Sequence, residues 1–341
     1  MSKAPETVQK ISADRLEELT HTAGAHVPIE QSAVWDAFDA AIAGRQHWRR
    51  LEWSRDGEAR AVISLTRHVG RGFVFLWAKH GPVWLRKPTA EDERGLRRAL
   101  RDYIAATAPE IAFLRLHAAS EAPDLRQLLQ TVTYDETVVI DLAAGEDAMM
   151  AAMNRTGRKK LRRALRDEGF ALSEERDISP EDFEELYAIY AETARRDGFG
   201  IFPADTYLGM LAALGDSARL WVARRTDDAG TPGRAVSWVI STVYDGVGQD
   251  YYGASNGEGL ETNAALRLKW HILTSLGAEG AHTYDLMGVG SERSPQLMGV
   301  RQFKEQFGDA VACDAAWDVP VKPVRYRLLT LALAAKRSLR L

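Results

Sequence analysis

The residues best able to do chemistry lie close together in the segment 248–308. A predicted strand there leads through a polar, glycine-containing turn into a predicted helix, whose unpaired N–H groups suit an anion or a carbonyl group. A second strand and a short helix follow, and they carry a carboxylate and a lysine. The candidate site residues of this segment are Tyr251, Tyr252, Ser255, Asp285, Phe303 and Lys304. Because adjacent residues of a strand point to opposite faces, we expect only one of the two tyrosines to face a cleft.

A second group of candidates is cationic. Residues 155–166 form the most basic run of the chain, and Arg196 lies at the end of a later predicted helix. Arginine forks match phosphate geometry, so Arg155, Arg158 and Arg162 are candidate phosphate ligands, although a solvated helix face has the same composition. The formal net charge of −4 gives no overall attraction to nucleic acid or anionic lipid, so such binding would be local, and DNA is not an expected partner.

Composition excludes several classes of protein. With 45% hydrophobic and 27% charged residues the chain is typical of a folded protein, and its 341 residues suffice for two domains. Cys313 is the only cysteine and the eight histidines lack metal-ligand spacing, so we expect neither disulfides nor a metal site. No apolar run is long enough to span a bilayer and the N-terminus lacks a signal-peptide core, which predicts a cytoplasmic protein.

The elements that would position the candidate residues occur twice. The tripeptide Arg-Ala-Val at residue 60 returns at residue 234, a displacement of 174 positions. The same displacement carries the predicted strand 73–77 onto 247–251 and the helix after Thr89 onto the helix around Ala264. The repeated order of strand, strand, turn, helix and strand predicts a duplicated α/β unit.

Six motifs, taken in their order, resemble the FemABX peptidyltransferases, the enzymes of peptidoglycan interpeptide bridges. They are Gln31-Ser32 with Trp35, His80-Gly81-Pro82-Val83, the basic run 155–166, Tyr251-Tyr252-Gly253-Ala254-Ser255, Tyr284-Asp285-Leu286-Met287-Gly288 and Phe303-Lys304-Glu305-Gln306-Phe307-Gly308. The resemblance implies an α/β (α+β) fold of two tandem GNAT-like domains, that is, acyl-CoA N-acyltransferase-like domains related by duplication. We place the first domain at 1–144, completed by a C-terminal segment at 318–341, and the second at 145–317. Because no long charged heptad stretch is present, the chain looks like the FemX-like type without a coiled-coil arm.

The resemblance also implies an activity and its partners. The chain would transfer an amino acid from aminoacyl-tRNA to a stem-peptide amine of a peptidoglycan precursor, lipid-linked or UDP-linked, without a cofactor. Lys304 would stabilise the oxyanion or the ester oxygens, and Phe303 would pack against the acyl-bearing adenosine. Asp285, at a strand end, would orient the amine or the stem peptide. The general base stays open between His117, Asp285, Glu305 and a substrate-assisted path.

The C-terminal stretch from Tyr326 is apolar on one side and basic on the other. It overlaps the second basic cluster of the chain, which consists of Arg325, Arg327, Lys336, Arg337 and Arg340. This pattern predicts peripheral contact with a membrane if the precursor is lipid-linked, which would place the protein at the inner face of the plasma membrane. A docked last helix would show the same pattern.

Two other functions are open. The same α/β unit serves N-acetyltransferases that use acetyl-coenzyme A, but the turn 255–261 has two carboxylates where a pyrophosphate would sit. The other alternative is a non-catalytic protein that binds RNA or the precursor through the basic run alone. The complete motif around Phe303 and Lys304 argues against it.

Overall fold

The computed structural model describes residues 5–70, 72–129 and 133–338, without the side chains of 336–338. Arg340 and the side chains of Lys336 and Arg337 in the predicted basic cluster therefore lie outside the described part. The chain divides into two compact units, Met1–Thr133 with Asp314–Leu341, and Tyr134–Cys313. The division falls before the boundary at 144 that we predicted, because the strand Val139–Asp141 pairs within the sheet of the second unit.

The first unit is built on a seven-stranded sheet. Its strands are β1 (Glu6–Ile11), β2 (Arg45–Arg55), β3 (Glu58–Gly70), β4 (Phe73–Trp77), β5 (Val83–Trp84), β6 (Ile111–Ala118) and β15 (Ala315–Pro320). Its helices are α1 (Ala13–Ala23), α2 (Ala33–Ala41), α3 (Ala90–Thr107) and α11 (Pro323–Ser338). A capping box between Thr89 and Asp92 begins α3, whose buried leucines pack on the sheet.

The second unit carries a six-stranded sheet and a two-stranded ribbon. Its strands are β7 (Glu136–Thr137), β8 (Val139–Asp141), β9 (Phe170–Glu175), β10 (Ala218–Thr226), β11 (Pro232–Tyr244), β12 (Val247–Ser255), β13 (Thr283–Asp285) and β14 (Val311–Ala312). Its helices are α4 (Glu146–Ala152), α5 (Arg155–Ala164), α6 (Pro180–Asp197), α7 (Ala204–Leu214), α8 (Gly257–Glu261), α9 (Ala264–Ala278) and α10 (Met298–Lys304). The helix predicted as one element from about 261 to 278 begins later, because Asn263 adopts a left-handed conformation with φ of 62° between α8 and α9.

The two main sheets have the same pattern. In the order β1-β2-β3-β4-β6-β15 the strands pair antiparallel except for the parallel pair β4–β6. In the order β9-β10-β11-β12-β13-β8 the one parallel pair is β12–β13, at the same place. The displacement of 174 carries both ends of β3 onto both ends of β11. The predicted duplication is thus present in strand order and direction.

The C-terminal segment completes the first unit. Strand β15 pairs antiparallel with β6, and the buried Arg115 of β6 forms an ion pair with Asp318 at 2.7 Å. Tyr326 of α11 donates its hydroxyl hydrogen to the same carboxylate at 3.1 Å. A buried ion pair whose remaining acceptors are hydrogen-bonded fixes one register, so these contacts place the segment on the sheet edge.

Two of the motifs that carry the resemblance contact each other in the first unit. The buried Gln31 side chain donates to the carbonyls of Ser64 and Lys79, and accepts from the Ser64 amide. Gly81 passes directly over the Gln31 amide, where a side chain would collide with it, and the Gly81-Pro82 bond is cis. In the described chain no helix is long and apolar enough to cross a bilayer, and no cluster of metal-ligating side chains is found.

Candidate active site

Lys304 ends α10 and reaches the loop that follows β13. Its Nζ donates to the carbonyl oxygens of Met287 at 3.2 Å and Gly288 at 2.9 Å. The backbone of Met287 has a φ of 60°, which residues other than glycine rarely adopt and which allows the chain to turn here. The two bonds use two of the three N–H donors of an ammonium group.

Burial changes the acid–base behaviour of Lys304. Loss of water around the ammonium group lowers the pKa of Lys304 to about 8. The carboxylates of Asp250 and Asp285 oppose this change, and the charge of Lys269 adds to it. A lysine in this environment changes its charge near neutral pH, which an exposed lysine does not.

Asp285 holds the other side of the same loop. Its Oδ1 accepts a hydrogen bond from the amide of Met287 at 2.7 Å and another from the hydroxyl of Thr137. The carboxylate therefore binds the N–H of Met287 while Lys304 binds the carbonyl oxygen of the same residue. This contact stabilises the loop, and it also brings two of the predicted catalytic residues to one turn.

Phe303 faces the core more than the solvent. Its half-buried ring packs against the core cluster of the second unit and lies 5.8 Å from the ring of Phe307, edge to face. The α10 helix is also pinned by Arg301, which pairs with Glu136 and Glu305, each at 2.7 Å. Glu305, an open candidate for the general base, is therefore held in an ion pair.

A buried ion pair next to this loop was not predicted from the sequence. Lys269 of α9 is 2% exposed, and its Nζ lies 2.6 Å from Oδ1 of Asp250 in β12. The same Nζ lies 5.5 Å from the ring centre of Tyr284, whose hydroxyl hydrogen-bonds to Ser241. Burial lowers the pKa of Lys269, and the Asp250 carboxylate opposes that change. In the sequence, this pair is indicated by a single lysine on the apolar stripe of a helix.

The two tyrosines lie at an irregularity of the sheet. Ile240 pairs with Tyr252 and Ser241 with Asp250, so Tyr251 is the extra residue of a β-bulge. We expected the two tyrosines to point to opposite faces because side chains alternate along a regular strand, but the bulge interrupts this alternation. Both tyrosines are half-buried, and their ring centres lie 5.6 Å apart. Tyr252 packs edge-on against Tyr207 at 4.8 Å. The bulge also brings Asp250 to the position where Lys269 meets it.

Ser255 and Arg196 come together at the end of β12. The carbonyl oxygen of Ser255 accepts from Nη1 of Arg196 and from the hydroxyl of Thr193, both at 3.1 Å. The buried Ser255 hydroxyl lies 2.8 Å from that of Ser237. Arg196 also pairs with Asp197 at 2.9 Å. These contacts hold the end of α6 on β12, and the Ser255 hydroxyl is turned toward protein atoms.

The basic helix α5 begins directly against the segment that follows Lys304. Asn154 caps α5 by accepting from the Gly157 amide at 2.7 Å, and it donates from Nδ2 to the carbonyl of Glu305 at 2.8 Å. A Cβ at Gly157 would lie 2.6 Å from the carbonyl oxygen of Gln306, so glycine permits this approach. The structure thus joins the basic run to the Phe303-Lys304 motif.

The three predicted phosphate ligands of α5 differ in their surroundings. Arg155 and Arg162 are exposed, as are Lys159 and Lys160. Arg158 instead turns back and donates to the carbonyls of Ala151 at 2.7 Å and Met153, at the end of α4. A cation at the C-terminus of a helix stabilises it, so Arg158 has a structural role that the sequence did not indicate.

The turn after β12 is occupied by its own side chains. Asn256 Oδ1 accepts from the Gly259 amide at 2.9 Å, which uses one of the free N–H groups at the start of α8. Glu258 pairs with Arg225 at 3.0 Å and with Arg234 at 2.5 Å. A diphosphate at this turn would have to displace the cap and compete with Glu258 for the arginines. The turn is a poor fit for coenzyme A.

Known proteins share this architecture. The acetyltransferase (GNAT) domain family matches residues 151–305, within the second unit. A crystal structure of FemX aligns with 95% of this chain and 100% of its own at 14% identity, with a TM-score of 0.72. Among curated proteins no significant match is found.

Two further solved structures align over nearly the whole chain. The C-terminal domain of a putative lysylphosphatidylglycerol synthetase from Agrobacterium fabrum covers 94% of this chain and 97% of its own, at 15% identity and a TM-score of 0.53. A tandem GNAT protein from the clavulanic acid biosynthesis pathway covers 94% and 99%, at 9% identity and a TM-score of 0.53. The predicted fold of two tandem GNAT-like domains is confirmed, and so is the resemblance to FemX at the level of the fold. The chain has an acyltransferase fold.

Proposed function

We propose that this chain transfers an amino acid from aminoacyl-tRNA to an amine of the stem peptide of a peptidoglycan precursor. The observation that supports this proposal is the position of Lys304. Its ammonium group is held by two loop carbonyls, and it belongs to the complete motif that resembles the FemABX enzymes. The third N–H of its ammonium group is the donor assigned to the developing oxyanion. Asp285 sets the loop that positions it.

The reaction balances without a metal or a covalent intermediate. The acceptor amine attacks the ester carbonyl of the aminoacyl-tRNA, a C–N bond forms, and the carbonyl oxygen becomes an oxyanion next to Lys304. Collapse of this intermediate breaks the ester C–O bond. The amine loses one proton and the leaving ribose oxygen gains one. Transfer of this proton from the amine to the ribose oxygen therefore balances the reaction. Precise placement of the two substrates would supply much of the rate.

An acetyltransferase that uses acetyl-coenzyme A is the second candidate, favoured by the family match at residues 151–305. The capped and ion-paired turn around Asn256 and Glu258 weighs against it. Calorimetry separates the two donors. We expect no heat from acetyl-coenzyme A and clear binding of a tRNA that carries its amino acid through a non-hydrolysable amide. Micromolar binding of acetyl-coenzyme A would favour the acetyltransferase instead.

The pKa of Lys304 predicts the behaviour of the rate at high pH. If the ammonium form stabilises the oxyanion, kcat/KM loses this contribution as pH rises through about 8, since a lysine is charged below its pKa. An acceptor amine contributes its own rising limb, so the wild type must be compared with Lys304→Arg, which stays charged. The ratio of wild-type to variant rates should fall above pH 8. A ratio that rises there would indicate that neutral Lys304 acts as a base.

The exposed cations of α5 are proposed to contact tRNA or precursor phosphates. Each phosphate contact contributes about 0.7–0.9 to the slope of log K against log salt. The double variant Arg155→Glu with Arg162→Glu should therefore bind tRNA more weakly and lower that slope by about 1.5. A matched reversal at two exposed residues of the first unit, Lys87→Glu with Arg94→Glu, should leave it unchanged. Equal slopes in all three proteins would indicate that α5 is a solvated surface helix that does not contact phosphates.

A further inference from the structure

Helix α11 has an apolar face that the fold of its own unit does not use. Its inner face carries Tyr326, Leu329 and Leu333, which pack with Phe113 and Leu129 of the first unit. Its outer face carries Val324, Leu328 and Leu331, which are 77%, 61% and 58% exposed. The spacing of four and three residues places these three side chains on one stripe. A surface helix of a folded domain normally has one apolar stripe facing the core, so a second apolar stripe on the opposite side is a candidate contact surface.

The charge of the segment around this stripe has one sign. Residues 321–341 contain Lys322, Arg325, Arg327, Lys336, Arg337 and Arg340 and no acidic residue, whereas the whole chain has a formal net charge of −4. Arg327 is exposed next to the stripe. Arg325 anchors the start of α11 by donating to the carbonyls of Glu110 at 3.0 Å and Gly72 at 3.3 Å. The stripe is therefore presented by a helix whose start is fixed to the first unit, with the exposed cation Arg327 beside it.

We propose that the outer face of α11 docks on an anionic phospholipid surface. The apolar stripe would enter the boundary between headgroups and acyl chains, and cations of the same segment, among them the exposed Arg327, would meet lipid phosphates. The helix extends over 16 residues, about 24 Å, which suits a helix that lies in the plane of the surface.

A second copy of the chain is the competing occupant. In a two-fold symmetric contact the same patch faces itself, so α11 would meet α11. Two copies of a segment with six cationic residues and no acidic residue would then meet, and like-charge repulsion opposes this contact. An anionic lipid surface supplies the opposite charge, and it is the occupant that the charge pattern favours.

Sedimentation of the full chain with vesicles tests this proposal. We expect binding to vesicles of phosphatidylglycerol and phosphatidylcholine, weaker binding to phosphatidylcholine alone, and a loss of binding as salt rises. The variant Leu328→Ser with Leu331→Ser keeps every charge and changes only exposed side chains, and it should partition at least about tenfold more weakly. The matched control, Ala105→Ser with Ala106→Ser, alters exposed positions of α3 and should bind like the wild type.

Three results would overturn the proposal. They are no binding to vesicles rich in phosphatidylglycerol, equal binding of the leucine variant, and a dimer in analytical ultracentrifugation that the leucine variant abolishes. The proposal does not rest on the transfer reaction, because the assay contains neither tRNA nor precursor. If the vesicle assay fails, the role proposed for Lys304 is unaffected. If Lys304 proves not to take part in transfer, the proposed membrane contact is unaffected.

Discussion

Replacement of Lys304 by methionine is expected to lower kcat for amino-acid transfer by about 10²–10³-fold, the loss seen when one oxyanion donor is removed. The KM values for tRNA and precursor should change little, because the interaction is made with charge that develops only in the transition state. Methionine fills a similar volume, so the folded structure should persist, although the carbonyls of Met287 and Gly288 lose a donor.

The control for Lys304→Met is Lys87→Met, an exposed lysine of the first unit, which should retain full turnover. Initial rates across a range of both substrates separate kcat from KM. Unchanged turnover in Lys304→Met would remove Lys304 from the mechanism. It would also revive the non-catalytic alternative, in which the basic helix alone binds RNA or precursor.

The largest effect on stability is expected at the pair formed by Lys269 and Asp250. Lys269→Met leaves the Asp250 carboxylate without its partner at 2.6 Å, and a broken buried pair typically costs about 3–5 kcal/mol of unfolding free energy. The double variant Lys269→Met with Asp250→Leu removes both charges and should be more stable than Lys269→Met alone. Denaturant unfolding of the single and double variants measures the coupling.

The exposed Lys10→Met serves as control for this series and should change stability by less than about 0.5 kcal/mol. If Lys269→Met lowers the free energy of unfolding as little as the control does, the pair is not an essential contact. The pair also influences Lys304, because the charge of Lys269 lowers the pKa of Lys304 and the Asp250 carboxylate raises it. Where Lys269→Met stays folded, the fall of the rate at high pH should move to higher pH.

The duplicated units could be predicted from the sequence because their signal is local and repeated. One displacement of 174 positions aligns β3 with β11 and α3 with α9, and each element has its own pattern of apolar residues and turns. The outer strand of each sheet could not be assigned in this way. Strand β15 reaches the first sheet from the C-terminus, and β8 enters the second sheet from the segment before it. Such pairings are non-local, and local periodicity does not contain them.

The candidate site was predictable in its residue types and less so in its contacts. The resemblance of motifs indicated Lys304, Phe303 and Asp285, and the structure places Lys304 and Asp285 on the two sides of Met287. The roles of these residues stay predictions. Arg158 could not be separated from Arg155 and Arg162 by sequence, because its contact with the end of α4 depends on how the chain turns at Asn154. The buried Asp250–Lys269 pair requires the bulge at Tyr251 and the packing of α9, neither of which the spacing of residues specifies.

Mass spectrometry of the acceptor tests the central claim most directly. The chain is incubated with a mixture of charged tRNAs, acetyl-coenzyme A and precursor, supplied in lipid-linked and UDP-linked forms. We expect the precursor to gain the mass of one amino-acid residue, only with charged tRNA and not with Lys304→Met, and that mass identifies the amino acid. A precursor that gains an acetyl group, or that gains nothing with wild-type protein that binds both substrates, would contradict aminoacyl transfer.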